Sequence, residues 1–382
     1  MLIVADENIP LVDSFFEDTG TVRRLPGRRL TAADVKDADI LLVRSVTRVD
    51  EALLSGSRVK FVGTATIGTD HIDVDWLKEQ GITFASAPGS NANSVVEYLL
   101  SVLSLHAERL DLQDWTNLSV GIVGAGNVGG ALWQKLDRLG ITVRASDPLR
   151  EENEASEDFS SLEEVLSCDV ITLHTPLTHT GSHPTRHLID GRRLAGLTSR
   201  QLLVNTSRGG VIDESALADR LNASDAPTVA LDVWENEPEI NLDLLNQVWL
   251  ATPHIAGYSL EGKVQGTEMI YQALSLFLGL PARKQSGQFM PEPPLGKLAF
   301  TRSAHAREAA DIAIRACYDP RRDDARLRRQ MALAPGERGR AFDRLRRDYP
   351  VRREFSSVKI QLKGARRSLQ DQFRALGFKL KL

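Results

Sequence analysis

Short hydrophobic runs alternate with amphipathic segments along the first 280 residues or so. The first runs are "LIVAD" (2–6), "ILLVRS" (40–45), "VKFVGTAT" (59–66) and "ITFASAP" (82–88). Runs that lack an alternating polar face are typical of strands buried on both sides of a parallel sheet. The pattern predicts that the chain begins with an α/β domain.

A second series of hydrophobic runs follows a long helical pattern at 93–110. The strands predicted in this series are 119–125, 142–147, 169–176, 201–207, 228–234 and 248–254. Another helical pattern, at 259–279, follows the last of them. Two strand–helix series in succession predict two doubly wound parallel-sheet domains, one flavodoxin-like and one of the Rossmann type, with a cleft between them.

The predicted domain boundaries follow from these series. Residues 1–93 and 258–282 form the expected substrate-binding domain, and residues 94–257 form the Rossmann domain. The segment 281–297 is rich in Pro, Gly and polar residues, which is typical of a linker. Beyond it we expect a third, α+β domain at 290–382.

The composition narrows the class of protein. The chain is 42% hydrophobic and 26% charged, and its longest apolar runs fall far short of the ~20 residues that span a bilayer. The N-terminus has no basic leader. The two cysteines, Cys168 and Cys317, have neither pairing nor metal-ligand spacing. We therefore expect a cytoplasmic protein with no metal and no membrane partner.

Charge is distributed unevenly along the chain. The net charge is −4, but residues 301–382 contain 22 Lys and Arg against 10 Asp and Glu, a balance of +12. Acidic residues are interspersed among these basic ones, and apolar stretches occur between them. This pattern favours a folded domain facing solvent or another subunit over a nucleic-acid-binding tail.

The stretch "GIVGAGNVGG" (121–130) contains the pattern G-x-G-x-x-G, at Gly124, Gly126 and Gly129. A predicted strand precedes it and a helical pattern follows, which is the context that a dinucleotide-binding turn requires. Gly124 permits the tight turn, Gly126 lets a pyrophosphate approach the backbone, and Gly129 allows close packing of helix and strand.

An acidic residue follows the glycine motif at the expected distance. Asp147 lies 18 residues beyond Gly129, at the end of the next predicted strand, where a carboxylate binds the ribose hydroxyls. A carboxylate there repels a 2′-phosphate, so NAD is predicted in preference to NADP. Arg144 and Arg150 lie nearby and keep NADP open as an alternative.

Three further stretches fall at the ends of predicted strands: "NTSRGGVID" (205–213), "ALDVWENEP" (230–238) and "ATPHIAGYS" (251–259). Ligands bind at the carboxyl ends of strands in doubly wound sheets. Together with the glycine motif, these stretches resemble the D-isomer-specific 2-hydroxyacid dehydrogenase family over roughly residues 1–282. The resemblance implies NAD-dependent oxidation of the C2 hydroxyl of a D-2-hydroxy acid.

The resemblance also implies roles for individual residues. Arg208 would bind the substrate carboxylate, His254 would be the acid/base, and Glu237 would orient its imidazole. Glu237 is selected among three neighbouring glutamates by its position, 29 residues after Arg208 and 17 before His254. Asp232 would contact the nicotinamide carboxamide. The other residues expected at the cofactor are Asn127, Val128, Thr175, Ser207 and Gly257.

The loops of the first domain are candidates for substrate recognition. They resemble a subgroup of the family that acts on a phosphorylated hydroxy acid and dimerises through an extra C-terminal domain. Ser45, Thr66 and Tyr258 are expected at the substrate, although Ser45 and Thr66 are also compatible with simple loop capping. Arg44 and Arg48, or an arginine of a partner's third domain, are candidates for the phosphate.

Two other functions remain open at this point. One is a dehydrogenase of the same family acting on a different phosphorylated 2-hydroxy acid, such as 3-phosphoglycerate. The other is an NAD-sensing interaction protein built on the same fold, in which the basic C-terminal segment would be the partner surface. Turnover with a hydroxy acid distinguishes the enzyme from the sensor.

Overall fold

The computed structural model describes residues 1–112, 114–154, 158–364 and 367–381. Its strands are β1 (Leu2–Asp6), β2 (Thr21–Leu25), β3 (Ile40–Val43), β4 (Phe61–Thr64), β5 (Thr83–Ala85), β6 (Val120–Val123), β7 (Val143–Ser146), β8 (Val170–Leu173), β9 (Leu202–Asn205), β10 (Thr228–Leu231), β11 (Leu250–Ala251), β12 (Lys297–Phe300), β13 (Lys359–Leu362) and β14 (Lys379–Lys381).

The α-helices of the same residues follow in chain order. They are α1 (Val12–Phe16), α2 (Ala32–Val35), α3 (Glu51–Leu54), α4 (Val74–Glu79), α5 (Ala92–Arg109), α6 (Asn127–Arg138), α7 (Pro148–Glu154), α8 (Leu162–Leu166), α9 (Gly191–Ala195), α10 (Glu214–Leu221), α11 (Leu242–Gln247), α12 (Leu260–Phe277), α13 (Ala306–Cys317), α14 (Arg321–Met331), α15 (Pro335–Arg347) and α16 (Arg367–Leu376).

The chain divides into two compact units. The first contains residues 1–92 and 258–292, and the second contains residues 93–257 and 293–382. The C-terminal segment, predicted as a third domain, belongs to the same compact unit as the Rossmann sheet.

The first unit is a five-stranded parallel sheet in the order β2-β1-β3-β4-β5. Strands β1, β3 and β4 are almost wholly buried, which explains their continuous apolar sequences. Helix α12, from the second stretch of chain in this unit, packs against the sheet and α1 and adds Val264, Ile270 and Leu274 to the core. The sequence pattern misses β2, because "TVRRL" is a half-exposed edge strand with polar residues.

The second unit contains a six-stranded parallel sheet in the order β11-β10-β9-β8-β6-β7. Strand β7 lies on one side of β6, and β8 and the later strands lie on the other side. The strand order therefore reverses at β6, which creates a topological switch point, where ligands bind in folds of this kind. The glycine motif follows β6, and the three other motif stretches follow β9, β10 and β11. All four motifs therefore lie at the carboxyl ends of strands of one sheet.

The C-terminal segment extends the hydrophobic core of this unit. Leu327 and Met331 from α14, and Ala341 and Phe342 from α15, are buried in one cluster with Trp234. Helix α14 also covers the edge strand β11, whose Ala251 N–H donates to Asp324 Oδ1 at 2.8 Å. A small parallel sheet, β12-β13-β14, completes the segment. Covering the sheet edge satisfies backbone groups that would otherwise need water.

The predicted fold class is confirmed: two doubly wound parallel-sheet regions are followed by a C-terminal segment of helices and strands. Among the described residues, no helix combines the length and apolar character needed to cross a membrane. The predicted linker 281–297 is mostly irregular and ends at β12.

Close packing of α12 on β4 depends on a glycine. A Cβ atom at Gly63 would lie 2.4 Å from Cγ2 of Ile270 and 3.1 Å from Cδ2 of Leu42. We expect Gly63→Ala to destabilise the protein by about 1–3 kcal/mol, because a β-branched side chain in a packed core has little room to move. Thermal unfolding should show a lower Tm. The control is Gly287→Ala, in the same unit, where a Cβ meets open space; equal Tm values for both variants would contradict the expectation.

Candidate active site

One buried carboxylate organises the turn after β11. Asp232, just beyond β10, is 1% exposed. Its Oδ1 accepts hydrogen bonds from Thr252 Oγ1 at 2.6 Å and from the N–H of Ile255 at 2.8 Å, and its Oδ2 accepts one from the N–H of Ala256 at 2.9 Å. Three donors on one side chain therefore fix the path of residues 252–256.

His254 is held in an unusual backbone conformation by this turn. Its φ is 57°, in the left-handed region that residues other than glycine rarely adopt. Its N–H donates to the carbonyl oxygen of Asp232 at 2.7 Å. Such conformations persist where surrounding contacts impose them, and they are common at functional sites. The effect is to aim the imidazole toward Glu237.

The imidazole and the carboxylate are directly paired. Nδ1 of His254 lies 2.8 Å from Oε2 of Glu237, and the two side chains are 32% and 18% exposed. The other carboxylate oxygen, Oε1, accepts from the N–H of Trp234 at 3.0 Å. Burial acts to raise the pKa of Glu237, but His254, Arg346 and the Trp234 N–H outweigh it and lower the pKa. The pair can exchange a proton at the second imidazole nitrogen while Glu237 stays anionic.

The loop of Arg208 lies against the loop that leads to Glu237. The side chain of Asn205 fixes the first loop: its Oδ1 accepts from Ser207, and its Nδ2 donates to the Arg208 carbonyl oxygen at 2.9 Å. The next residue is Gly209, where a Cβ would lie only 1.9 Å from the backbone carbon of Trp234. Only glycine permits this approach of two backbones, so the structure brings the Arg208 loop against the loop that leads to the Glu237–His254 pair.

The glycine turn has the shape that a dinucleotide requires. Gly124 has φ 88°, and a Cβ at Gly129 would lie 1.9 Å from the Gly124 carbonyl oxygen, so both positions need glycine. At Gly126 a Cβ would meet nothing within 4 Å, and no side chain caps the helix that begins at Asn127. Opposite the turn, Thr175 Oγ1 is buried without a hydrogen-bond partner among the described residues. These features fit a bound pyrophosphate.

The neighbourhood of Asp147 fits NAD better than NADP. The Asp147 carboxylate accepts from the N–H of Ala125 at 2.8 Å and of Arg150 at 3.1 Å. The Arg150 guanidinium donates to the Ala125 carbonyl oxygen and to Glu154. Arg144 lies 3.9 Å from Glu164. Both arginines considered for a 2′-phosphate thus have carboxylate partners of their own.

Three of the predicted substrate residues, Ser45, Thr66 and Tyr258, belong to the first unit. Ser45 is exposed in the turn after β3. Thr66 follows β4, and its hydroxyl lies 2.8 Å from Thr64 Oγ1, which in turn lies 3.0 Å from His71 Nε2. Thr66 therefore takes part in a local network, in keeping with the loop-capping alternative. The ring of Tyr258 has the ammonium of Lys263 4.3 Å from its centroid.

The two phosphate candidates of the first unit are both ion-paired. Arg44 lies 3.2 Å from the wholly buried Asp6, and its side chain is 23% exposed. Arg48 lies 2.8 Å from Asp50 and is 82% exposed. Arg44 is thus anchored at the base of its loop, whereas Arg48 has the freedom of a surface side chain. Lys263, which sequence reasoning passed over, is a further candidate for the phosphate in this unit.

Several charged residues near the Glu237–His254 pair were not predicted from the sequence. Glu214 on α10 is 5% exposed, and its Oε1 accepts from the N–H of Glu235 at 2.7 Å. The side chain of Glu235 lies 2.9 Å from His187 Nε2. Arg346, from α15, lies 3.9 Å from Oε2 of Glu237. An isolated Glu or Arg on a polar helix is common on protein surfaces, so only the folded chain reveals these neighbours.

Three other histidines occupy packing or loop positions. His106 is 2% exposed beside Trp249, and burial lowers its pKa to about 4. Burial lowers the pKa of His174, which lies 3.0 Å from Thr172 Oγ1, to about 3. Burial also lowers the pKa of His71. These imidazoles are neutral at physiological pH.

The geometry defines a class of protein: a nicotinamide-dependent oxidoreductase on a Rossmann sheet with an imidazole–carboxylate pair beside an arginine loop. Residues 102–256 match the family model described as D-isomer specific 2-hydroxyacid dehydrogenase, NAD binding domain. Residues 289–377 match a domain of unknown function, DUF3410. The chain belongs to the D-isomer specific 2-hydroxyacid dehydrogenase family, and its cofactor is NAD.

Two relatives are similar to this chain over its full length. The chain is 67% identical to an erythronate-4-phosphate dehydrogenase of Marinobacter nauticus, over all of both chains. It is 52% identical to a protein of the same name from Hahella chejuensis, over 100% of this chain and 99% of that one. The similarity includes the C-terminal segment.

Solved structures share the fold at lower identity. A D-lactate dehydrogenase from Aquifex aeolicus, complexed with NAD and lactic acid, has a TM-score of 0.59 and 24% identity, covering 73% of this chain and 96% of that one. An NAD⁺-bound 3-phosphoglycerate dehydrogenase from Entamoeba histolytica has a TM-score of 0.61 and 24% identity, covering 75% and 98%.

The buried Glu214 carboxyl leads to a pH prediction. Burial raises its pKa to about 7 from an ordinary value of 4.5; the Glu235 N–H opposes this, and the charges of Glu235 and Glu237 add to it. Between these two pH values the folded protein keeps a proton that the unfolded chain loses. This residue's contribution to stability therefore falls as pH rises through that window, by an amount on the order of 1–3 kcal/mol.

Glu214→Gln removes this contribution, so its stability should decline less than that of the wild type between pH 4.5 and about 7.5. Unfolding curves in urea, recorded across this range, measure the difference. Glu79→Gln, at an exposed helix end, serves as control and should parallel the wild type. Parallel curves for wild type and Glu214→Gln would show that the carboxyl titrates normally.

Proposed function

We propose that this protein oxidises the C2 hydroxyl of 4-phospho-D-erythronate to 2-oxo-3-hydroxy-4-phosphobutanoate, with NAD, in the biosynthesis of pyridoxine 5′-phosphate. The observation that carries the chemistry is the 2.8 Å pairing of His254 Nδ1 with Glu237 beside the Arg208 loop. The choice of substrate rests on the full-length similarity to proteins named erythronate-4-phosphate dehydrogenase.

His254 acts as the base in this proposal. Because Nδ1 is engaged by Glu237, Nε2 is the atom that takes the proton of the C2 hydroxyl. The negative Glu237 stabilises the imidazolium that results. The residues of the glycine turn would hold NAD, which would supply the acceptor for the C2 hydride, so that one C–H bond and one O–H bond are broken as the carbonyl forms.

Arg208 anchors the substrate. A guanidinium offers two parallel N–H groups to a carboxylate, which fixes both its position and its orientation. Arg208 also polarises the C2 oxygen in this account. Its loop is held by Asn205 and by the contact of Gly209 with Trp234, which supports a fixed position for the backbone that carries the cation.

The cofactor is assigned to the residues around the glycine turn. The N–H groups of Asn127 and Val128 would bind the pyrophosphate, and Asp147 would bind the ribose. Asp232 already accepts three hydrogen bonds, so its proposed contact with the nicotinamide carboxamide uses the lone pair left on Oδ2. The remaining proposed contacts are with Gly124, Gly126, Gly129, Thr175, Ser207 and Gly257.

The first unit supplies the remaining substrate contacts. Ser45, Thr66 and Tyr258 are assigned to the hydroxyls and carboxylate, and the phosphate, with a charge near −2, is assigned to cations of this unit or of a second subunit. Arg48 and Lys263 are favoured over Arg44, because Arg44 is paired with the buried Asp6.

We also propose a cytoplasmic homodimer formed through residues 290–382. Two large apolar side chains of this segment, Ile312 and Val351, are 45% and 66% exposed. Such side chains, next to many arginines, suit a subunit interface. Cys168 and Cys317 are both free, in keeping with a reducing compartment.

A single-turnover assay tests the proposed reaction. Enzyme, NAD and one acid are mixed at comparable concentrations, so that the result does not depend on how the cofactor is recycled. NADH formation is followed by its absorbance with 4-phospho-D-erythronate, D-erythronate and 3-phosphoglycerate. We expect 4-phospho-D-erythronate to react at least about 100-fold more efficiently than the unphosphorylated acid, because a site built for the phosphate leaves cations unpaired without it.

The variant His254→Ala tests the assigned base. It should reduce the rate by about 100- to 10,000-fold while NAD binding persists. His179→Ala, at an exposed loop position, is the matched control and should behave as wild type. Undiminished turnover in His254→Ala would reject the mechanism.

In the substrate comparison, a faster reaction with 3-phosphoglycerate than with 4-phospho-D-erythronate would show that the substrate assignment is wrong.

A further inference from the structure

The C-terminal segment contacts the loop that carries Glu237. A Cβ at Gly339, in α15, would lie 2.1 Å from Oε1 of Glu239 and 3.4 Å from Cγ of Pro238. The glycine thus lets the helix lie directly against the two residues that follow Glu237. Farther along, the Arg352 guanidinium donates to the carbonyl oxygen of Ala256, in the turn of His254.

A cation of the same helix reaches the catalytic carboxylate. Arg346 is seven residues beyond Gly339, two helical turns along the same face of α15. Its Nη1 lies 3.9 Å from Oε2 of Glu237, the oxygen that also accepts from His254. The two side chains are 20% and 18% exposed, so solvent screens this pair less than a surface pair.

We propose that Arg346 is a positioning residue of the Glu237–His254 pair, through which the C-terminal segment sets the pH at which His254 becomes a base. The inference rests on the function proposed above. Arg346 lies beyond the part of the chain that the D-isomer specific 2-hydroxyacid dehydrogenase model matches. Through Arg346, the C-terminal segment would adjust the pH range in which His254 acts as a base.

The sign follows from Coulomb's law. A fixed positive charge beside Glu237 disfavours a second positive charge on the imidazole bonded to the same oxygen. Arg346 therefore favours neutral His254, the form that accepts the hydroxyl proton. Without it, the imidazole should hold its proton to higher pH, and oxidation should weaken at acidic pH.

The carboxylates near the pair act in the opposite direction. Glu214 on α10 and Glu235 on the preceding loop are anionic when deprotonated and favour the imidazolium. Asp232 lies beneath the turn and Glu239 follows on the loop. Arg208, on the adjacent loop, is a second cation. Arg346 is the cation that the C-terminal segment contributes, 3.9 Å from the carboxylate of Glu237.

The experiment compares Arg346→Gln and Arg346→Lys with the wild type. The titration midpoint of the His254 imidazole is measured by NMR on the full-length protein without substrate, and the pH profile of kcat is measured with 4-phospho-D-erythronate. We expect Arg346→Gln to move both the midpoint and the acid limb upward by about 0.5–1 pH unit, with rates at alkaline pH close to wild type. Arg346→Lys, which keeps the charge, should leave both values close to those of the wild type.

Arg347→Gln is the matched control, since Arg347 is next in the chain, 58% exposed and paired with Asp348. It should leave both readouts unchanged. An unshifted midpoint in Arg346→Gln would overturn the proposal, and so would an equal shift in Arg346→Lys, because the effect would then not depend on charge. Should Arg346→Gln not fold, Arg346→Met, which keeps the apolar stem, replaces it.

The two proposals fail in different ways. If the wild type does not oxidise 4-phospho-D-erythronate, the proposed function is wrong, but the NMR titration still decides whether Arg346 acts on His254. If turnover is normal and the titration does not respond to Arg346, only the inference about the C-terminal segment is wrong.

Discussion

The buried carboxylate of Asp232 is the constraint on which the candidate site depends. It collects the Thr252 hydroxyl and the backbone N–H groups of Ile255 and Ala256, which bends the chain so that His254 faces Glu237. Because Thr252 donates to Asp232, the buried Tyr98 hydroxyl at 2.9 Å must donate to Thr252. A charge removed from water and surrounded by donors gives the turn one arrangement, and this offsets the strain of the left-handed His254.

The C-terminal segment belongs to the same physical unit. Its helices complete the core around Trp234, cover the β11 edge and touch the loops of both Glu237 and His254. The C-terminal segment thus adds a layer of helices to the Rossmann sheet, and this layer contacts the loops of Glu237 and His254.

Most strands of the two large sheets and the glycine turn could be predicted from the sequence, for physical reasons. Buried parallel strands are uniformly apolar, so β1, β3, β4 and β8 stand out, and the glycine turn is recognisable because Gly124 and Gly129 have steric requirements. Strand β2, an edge strand with two arginines and no buried residue, carries no such signal and is missed. Asp232 was expected only at the cofactor, whereas the structure uses it first to brace the turn. The contact of Arg346 joins residues 109 positions apart, so no local pattern reveals it.

The central claim of the proposed reaction is that the hydride passes directly from C2 to NAD while His254 takes the proton of the C2 hydroxyl. The most direct measurement uses 4-phospho-D-erythronate with deuterium at C2, in a single turnover with NAD. The account predicts that the deuterium appears at C4 of the nicotinamide and that the step is slowed by the isotope. Reduced cofactor without deuterium, or loss of the label to water, would contradict direct hydride transfer from C2.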